Sequence, residues 1–427
     1  MNKKYRLHSF LLKMGGLALF AGQYLLIEKT VGGLSIKAIS LLIAIAILAL
    51  AVLTSSDVYA RWQKNILLMW LGFMTYAVGA QLLNESMRST TDVVDFAARY
   101  GAAWIVMAIG FLISNKKGGR EFLNRTLFIC AAVNFLFILL QVTGVQIAYD
   151  IHDTIYPESF KLIQEANDAG EMFGRGYASG LMPYSIGAAY VTGCFGITGI
   201  GLALSTTGAA RSAMFVFTTI IVIGGGVLTV SRSTLYGGTV VIVLGLILAA
   251  RNRSSWLALL TIAPVILLIL PLLTQIQNIE RLINLDDSFR SYLREVAIAE
   301  ISASPLVGVN TSALNNDLSY LGAHNMLLNS ALYFGVIGMI LQSWFNIYTI
   351  VMPVFAKKKR VGNTVSAHQI GALAGMIVYT IKGLVHNESI ATSGIMYAWL
   401  VAIAIPGKQN IWKTGKQRQV SIHDATD

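Results

Sequence analysis

Apolar residues run along this chain in long blocks, not in the alternation of a half-buried strand or the one-sided stripe of a soluble helix. A helix crossing the hydrocarbon layer of a bilayer needs about 20 such residues. Blocks of this kind lie at 10–27, 36–53, 66–83, 95–113, 126–147, 181–205, 212–230, 235–250, 256–276, 326–352, 369–385 and 390–406. They predict an all-α, polytopic membrane protein of twelve spans, with residues 1–427 forming one transmembrane domain. The eighth block is short, and Pro183 marks the least distinct start, that of the sixth. The opening Met-Asn-Lys-Lys-Tyr-Arg has the charge pattern of a signal peptide. The block after it runs into Gln23, Tyr24 and Glu28 without a small-residue cleavage site, so it reads as an uncleaved first span.

Composition strengthens this picture. Hydrophobic residues make up 55% of the chain and charged residues 12%, about half the usual soluble share of roughly 25%. The mean hydropathy is +0.63. A soluble core could not hide so much apolar surface behind so few charges.

The net charge of +11 could point to nucleic acid, but the placement of the basic residues argues for topology and against a nucleic-acid partner. With the N-terminus in the cytoplasm, the cytoplasmic segments hold Lys3, Lys4 and Arg6; Arg61 and Lys64; Lys116, Lys117, Arg120 and Arg125; Arg211; Arg251 and Arg253; Lys357 to Arg360; and Lys408, Lys413, Lys416 and Arg418. That is twenty of the 32 lysines and arginines, against only Asp57, Glu121, Asp424 and Asp427 among the 21 carboxylates. Basic residues accumulate on the cytoplasmic side of membrane proteins, so both termini are expected inside.

Two loops of the opposite, outer side are long, 148–180 and 277–325, and long loops in compact proteins tend to carry function. In the second, Asp286, Asp287 and Ser288 suit a helix N-terminus. Phe289, Leu293, Val296, Ala297 and Ile301 then recur at helical spacing, and Pro305 follows a plausible stop. This predicts an amphipathic outer helix lying against the body of the protein, with Arg290 and Arg294 on one side of it.

Outer cations are few. Arg175 ends the first long loop, Arg232 sits in the tight turn Val-Ser-Arg-Ser-Thr, and Arg290 and Arg294 ride the outer helix. Arginine suits a phosphate or diphosphate, because its planar fork donates two hydrogen bonds and stays charged. For Arg175 and Arg294, pairing with loop carboxylates is an equally good account. Arg232 has no acidic neighbour in sequence, and a charge held at a span end without one marks a functional position. His8, His152, His368 and His423 read as solvated. His324 and His386, each followed by Asn, stand at span ends, and Lys382 lies one turn before the latter, where it could touch an anionic head group. Cys130 and Cys194 lie in apolar blocks and read as small core residues.

Three kinds of chemistry lack their residues. No His/Cys/Asp/Glu set has metal-ligand spacing and no Asp-x-Asp pair occurs. The glycines of Ile-Gly-Gly-Gly-Val at 223–227 fall mid-span, where they permit close helix packing, and do not form a phosphate loop. There is no Gly-x-Ser-x-Gly.

The residues from Asp287 to Leu341 resemble the signature region of the O-antigen ligase and polymerase family, bacterial membrane glycosyltransferases acting on polyprenyl-diphosphate-linked glycans. The shared features run in order: Arg290 on an outer helix, the turn Pro305-Leu306-Val307-Gly308, the pair His324-Asn325, and Gly335-Val336-Ile337-Gly338 in the following span. Val-Ser-Arg-Ser at 230–233 is similar to the family's Ser-Arg turn, and Arg175-Gly176 through Pro183 to its Arg-x-x-Gly…Pro segment. Asn310 stands where many members have a second glycine, and Met182-Pro183-Tyr184-Ser185 departs from the common Asn-Pro-Asn pattern. The first 150 residues are similar in topology alone.

The resemblance implies an undecaprenyl-diphosphate-linked glycan as donor, used at the outer, periplasmic or extracellular face of a bacterial cytoplasmic membrane. It implies an inverting, metal-independent transfer that needs no cofactor. Arg232 and Arg290 would stabilise the leaving diphosphate, and His324 would act as general base. Arg175, Arg294, Asn325 and Lys382 would contact substrate. A polymerase of repeat units for O-antigen, capsule or exopolysaccharide is preferred to a ligase acting on lipid A-core, since the chain lacks the extra soluble domain that protein-glycosylating members often carry. A flippase and a chain-length regulator of the same pathway are the expected partners beside the bilayer. The alternative of a different class is a lipid-linked oligosaccharide flippase. Such proteins tend to gather charge at the membrane midplane and to show two related halves, and neither feature is seen here.

Overall fold

The computed structural model describes residues 3–24, 30–31, 34–54, 59–87, 89–157, 178–229, 231, 233–239, 242, 288–310, 323, 325–358, 366–385 and 390–407. Apart from a two-residue antiparallel pairing, Thr30–Val31 with Leu34–Ser35, the regular structure among them is helical. In chain order the helices are α1 Lys3–Tyr24, α2 Ile36–Thr54, α3 Arg61–Leu83, α4 Thr90–Ser114, α5 Gly119–Val142, α6 Gln146–Ile155, α7 Ser185–Ser205, α8 Gly208–Leu228, α9 Ser288–Ala303, α10 Met326–Lys358, α11 Ala367–Val385 and α12 Ile390–Ala404. α7 and α8 each contain a π-helical turn, Val191–Phe195 and Ile220–Gly224. Ten of the apolar blocks coincide with one of these helices. Of the eighth block only 235–239 and 242 are described, and the ninth lies outside the described residues.

Five helical stretches are long and apolar enough to cross a membrane: α3, α5, α7, α8 and Met326–Pro353 of α10. Their sidedness is the reverse of a soluble protein's. On α10, Ile337, Ile340, Trp344, Ile347 and Val351 form an exposed apolar stripe, while Gln342, Asn346 and Thr349 are buried. On α5, Ile129, Val133 and Leu136 face out and Asn124, Asn134 and Gln141 face in. A bilayer rewards this arrangement, since lipid solvates the apolar stripe and the polar groups find partners only inside. The protein is an all-α membrane protein.

α7 is the centre of the bundle, with 89% of its apolar window enclosed against 39% for α3 and α5. α11 packs on it backbone to backbone. A Cβ on Gly371 would stand 2.6 Å from the Thr198 carbonyl, and one on Gly375 2.6 Å from that of Cys194. Only glycine permits this approach. At the N-terminal end of α11, polar side chains close the end of α12. Ser114 donates to the Ala402 carbonyl at 2.7 Å, Gln369 to Ala404 at 2.9 Å and Arg120 to Ile405 at 3.1 Å. These are carbonyls that a helix end leaves without intrahelical donors.

α9 is described from Ser288 onward, and Leu293, Ala297 and Ile301 are its buried face. Asp286 and Asp287 lie outside the described residues. The face does not rest on the main bundle. It packs with Ala323, Ala331 and Leu332 into a second, separate core that α9 shares with the start of α10.

Candidate functional site

The tenth apolar block, expected as one span over 326–352, is divided. Gly335 has φ 70° and ψ 178°, which no helix contains. Asn346 donates to the Met326 sulfur at 3.8 Å, yet twenty residues of straight helix would separate the two by about 30 Å. The contact requires the chain to double back at Gly335. Residues 326–334 are therefore a re-entrant limb lying against the limb that starts at 336. The second limb to Pro353 still spans about 27 Å at 1.5 Å per residue.

The reversal is clasped by the turn after α9. Val336 N–H donates to the Pro305 carbonyl at 2.7 Å and Val309 N–H to that of Leu332 at 2.8 Å. From α3, the Tyr76 hydroxyl reaches the carbonyls of Leu306 (2.6 Å) and Phe334 (2.9 Å). Gln81 donates to Tyr333 at 2.5 Å, and Asn84 to Val307 and Val309. A Cβ on Gly308, at φ 78°, would strike the backbone of Leu332 to Phe334, and one on Gly335 the backbone of Leu306 and Val307. The Pro-x-x-Gly and Gly-x-x-Gly motifs, 30 residues apart in sequence, are two sides of one junction.

Side-chain bonds also hold the limb's N-terminus. Asn325 caps it, its Oδ1 accepting from the amides of Leu327 (2.9 Å) and Leu328 (3.1 Å), while its Nδ2 donates to the Leu384 carbonyl at 2.9 Å in the last turn of α11. Asn329, buried, accepts from the Ala323 amide at 2.8 Å and so holds the chain on the other side of position 324. Losing the Asn325 cap should cost about 1–2 kcal/mol. Asn325→Ala is accordingly expected to lower the melting temperature more than Asn325→Asp, which keeps the capping acceptor and loses the bond to Leu384. Equal melting of both variants and the parent would remove the cap from this account.

The last turn of α11 also meets the Ser-Arg turn. Lys382 is fully buried and donates to Ser231 Oγ at 3.2 Å and to Thr234 Oγ1, with its ammonium 4.2 Å from the centre of the Tyr190 ring. Ser231 and Thr234 are themselves linked at 3.0 Å, and Thr234 donates to the Ala189 carbonyl at 3.1 Å. One helical turn therefore joins two segments distant in sequence: the residue after 324 through Leu384, and the residues flanking 232 through Lys382.

Of the predicted site residues, Arg175, Arg232 and His324, with His386, lie outside the described residues, and Arg290 is placed only as a member of α9. Arg294, one turn further, is half-buried. Among the described residues its enclosed Nε has no hydrogen-bond partner and no carboxylate pairs with it, unlike Arg125, which meets Glu121 at 2.5 Å. Asn325 is committed through both side-chain polar atoms to chain positions, and Lys382 is fully buried. Cys194 is buried as expected and Cys130 half-buried.

His152, expected to be solvated, is buried at 2% exposure. Its Nε2 lies 2.9 Å from both the Met182 carbonyl and Ser179 Oγ. With Gln141 and Asn134, which bind the amides of Gly180 and Leu181, it grips the segment leading from Arg175 into α7. The amphipathic face of α6 turns His152 inward with Ala148, four residues apart. That spacing was the available signal. For Asn329, Gln81 and Asn84 the signal was a polar amide within or at the end of an apolar block.

No family model matches the chain, and no curated protein matches it either.

Proposed function

We propose that this protein is an inverting membrane glycosyltransferase joining undecaprenyl-diphosphate-linked oligosaccharide repeat units into a surface polysaccharide. In this reading it has twelve spans, both termini in the cytoplasm, and its site on the outer face of a bacterial plasma membrane. The observation that carries the reading is the convergence at the end of α11. Ser231, beside Arg232, and Asn325, beside His324, are both bonded to the turn 382–384. Two motifs separated by about ninety residues of chain thus approach one place, as a cation for a leaving group and a base for a nucleophile must.

The chemistry assigns roles to these positions. Cleavage of the anomeric bond leaves negative charge on the lipid diphosphate, which Arg232 and Arg290 would stabilise through bidentate hydrogen bonds. His324 would take the proton of the attacking sugar hydroxyl, a task suited to neutral imidazole near pH 7. Attack opposite the leaving diphosphate inverts the anomeric centre. The Arg294 Nε, enclosed and without a partner among the described residues, supports a second cationic contact on the same helix as Arg290.

The test uses purified protein in liposomes with one labelled lipid-diphosphate repeat unit and no other acceptor, beside a His324→Ala variant. A ladder of lengthening products, lost in the variant, is expected. Transfer only after lipid A-core is added would make the enzyme a ligase, and movement of the lipid between leaflets without transfer would replace the reading with a flippase.

A further inference from the structure

We infer that Lys382 is a positioning residue, which holds the turn 231–234 from within and acts on a bound diphosphate only through that turn. The inference rests on the reading above for the identity of the anion, but its geometry is independent of it.

Hydrogen bonding fixes the direction of each contact around Lys382. The Thr234 hydroxyl has one proton, and it goes to the Ala189 carbonyl. Ser231 Oγ, 3.0 Å from Thr234 Oγ1, must then donate to it. Both oxygens are left with lone pairs toward Lys382, so Nζ donates to both. The Tyr190 ring also faces the ammonium, a cation–π contact. A donor-only group thus heads a network in which Lys382 donates to Ser231 and Thr234, and the Ala189 carbonyl, by taking the Thr234 proton, sets the direction of the other bonds.

Two consequences follow from burial. A side chain with 0% exposure cannot reach a head group outside the bundle, which removes direct substrate contact. Its hydroxyl partners instead stand on either side of position 232, and the Ser231 backbone is itself tied down, its amide donating to Gly226 at 2.7 Å and its carbonyl accepting from Leu235 at 3.0 Å. Removing the ammonium leaves the Ser231 and Thr234 lone pairs unsatisfied inside the protein, and the turn loses the group that closes it. Charged hydrogen bonds contribute enough that the loss should loosen an anion held over the turn by about tenfold or more.

The experiment compares the full-length protein with Lys382→Met, which keeps length and removes charge, with Thr234→Val, which keeps shape and removes the hydroxyl, and with the double variant. Farnesyl diphosphate is the short-chain probe, and affinity is read in nanodiscs together with hydrogen exchange of the Ser231 and Leu235 amides. The expected result is about tenfold weaker binding in each single variant, a double variant no worse than the weaker single, and faster exchange at both amides in Lys382→Met. A double variant whose loss is the product of the two single losses would mean that Lys382 acts on the ligand by itself and would overturn the inference. Parent-rate exchange in Lys382→Met would overturn it as well. If the parent protein does not bind farnesyl diphosphate, the diphosphate reading falls, while the exchange measurement still decides the positioning role. Should Lys382→Met fail to fold, Thr234→Val carries the same exchange comparison.

Discussion

Gly335→Ala is expected to lose the folded protein almost entirely. At φ 70° and ψ 178° the residue occupies a region open in practice to glycine alone, and a side chain there costs about 1–3 kcal/mol before any contact is counted. The contact is worse. The new Cβ would strike the Leu306 carbonyl and stand 2.7 Å from the Val307 nitrogen. These are backbone atoms, pinned by Tyr76, Asn84 and the Val336 to Pro305 bond, so no side-chain rotation relieves the clash. The junction would have to open, exposing its carbonyls and separating α9 from the limb it covers. A total loss of roughly 3 kcal/mol or more is expected, read as a fall in thermal stability and in the monodisperse fraction after extraction. Gly72→Ala on α3 is the control, because nothing lies within 4 Å of the position its Cβ would take, and it should be neutral. A Gly335→Ala protein as stable as this control would mean that the chain does not reverse there.

Arg232→Lys should be nearly as damaging to transfer as Arg232→Ala, with losses of about 10²–10³ in single-turnover rate for both. Lysine keeps the charge but replaces a planar fork with a point charge on a flexible stem, and a diphosphate leaving group needs two oxygens held at once. Thermal stability of both variants should stay near that of the parent, which separates loss of chemistry from loss of fold. Full activity in the lysine variant would show that charge alone suffices and would set aside bidentate binding. Because Lys382 braces the turn from beneath, Arg232→Lys and Lys382→Met should not compensate one another when combined.

Much of the site was legible as motif and little of it as geometry. The buried face of α9, Leu293, Ala297 and Ile301, was readable because helical period is a local property. Helix starts were read late where the first turn is polar. α3 begins at Arg61, ahead of the apolar block at 66, and α4 begins behind a capping box in which Ser89 and Asp92 bind each other's amides. The pairing of the two glycine motifs was invisible, since their order in sequence says nothing of contact. His152 was misread because its acidic neighbours were weighed and its four-residue spacing from Ala148 on an amphipathic helix was not; the carbonyl and hydroxyl it meets are set by tertiary structure alone.

Composition and period along the chain were sufficient by themselves to make this an all-α membrane protein and to mark most of its helices. The reason is that lipid selects for apolar length residue by residue, without reference to what packs against it. Hydropathy has no direction, however. An apolar block reads the same whether the chain crosses once or turns back on itself, and only the carbonyls of 305–309 together with Tyr76, Gln81 and Asn84 decide that it turns at Gly335. Burial of a cation is likewise a property of its surroundings. Lys382 becomes an internal brace because Ser231 and Thr234, some 150 residues earlier in the chain, present their lone pairs to it.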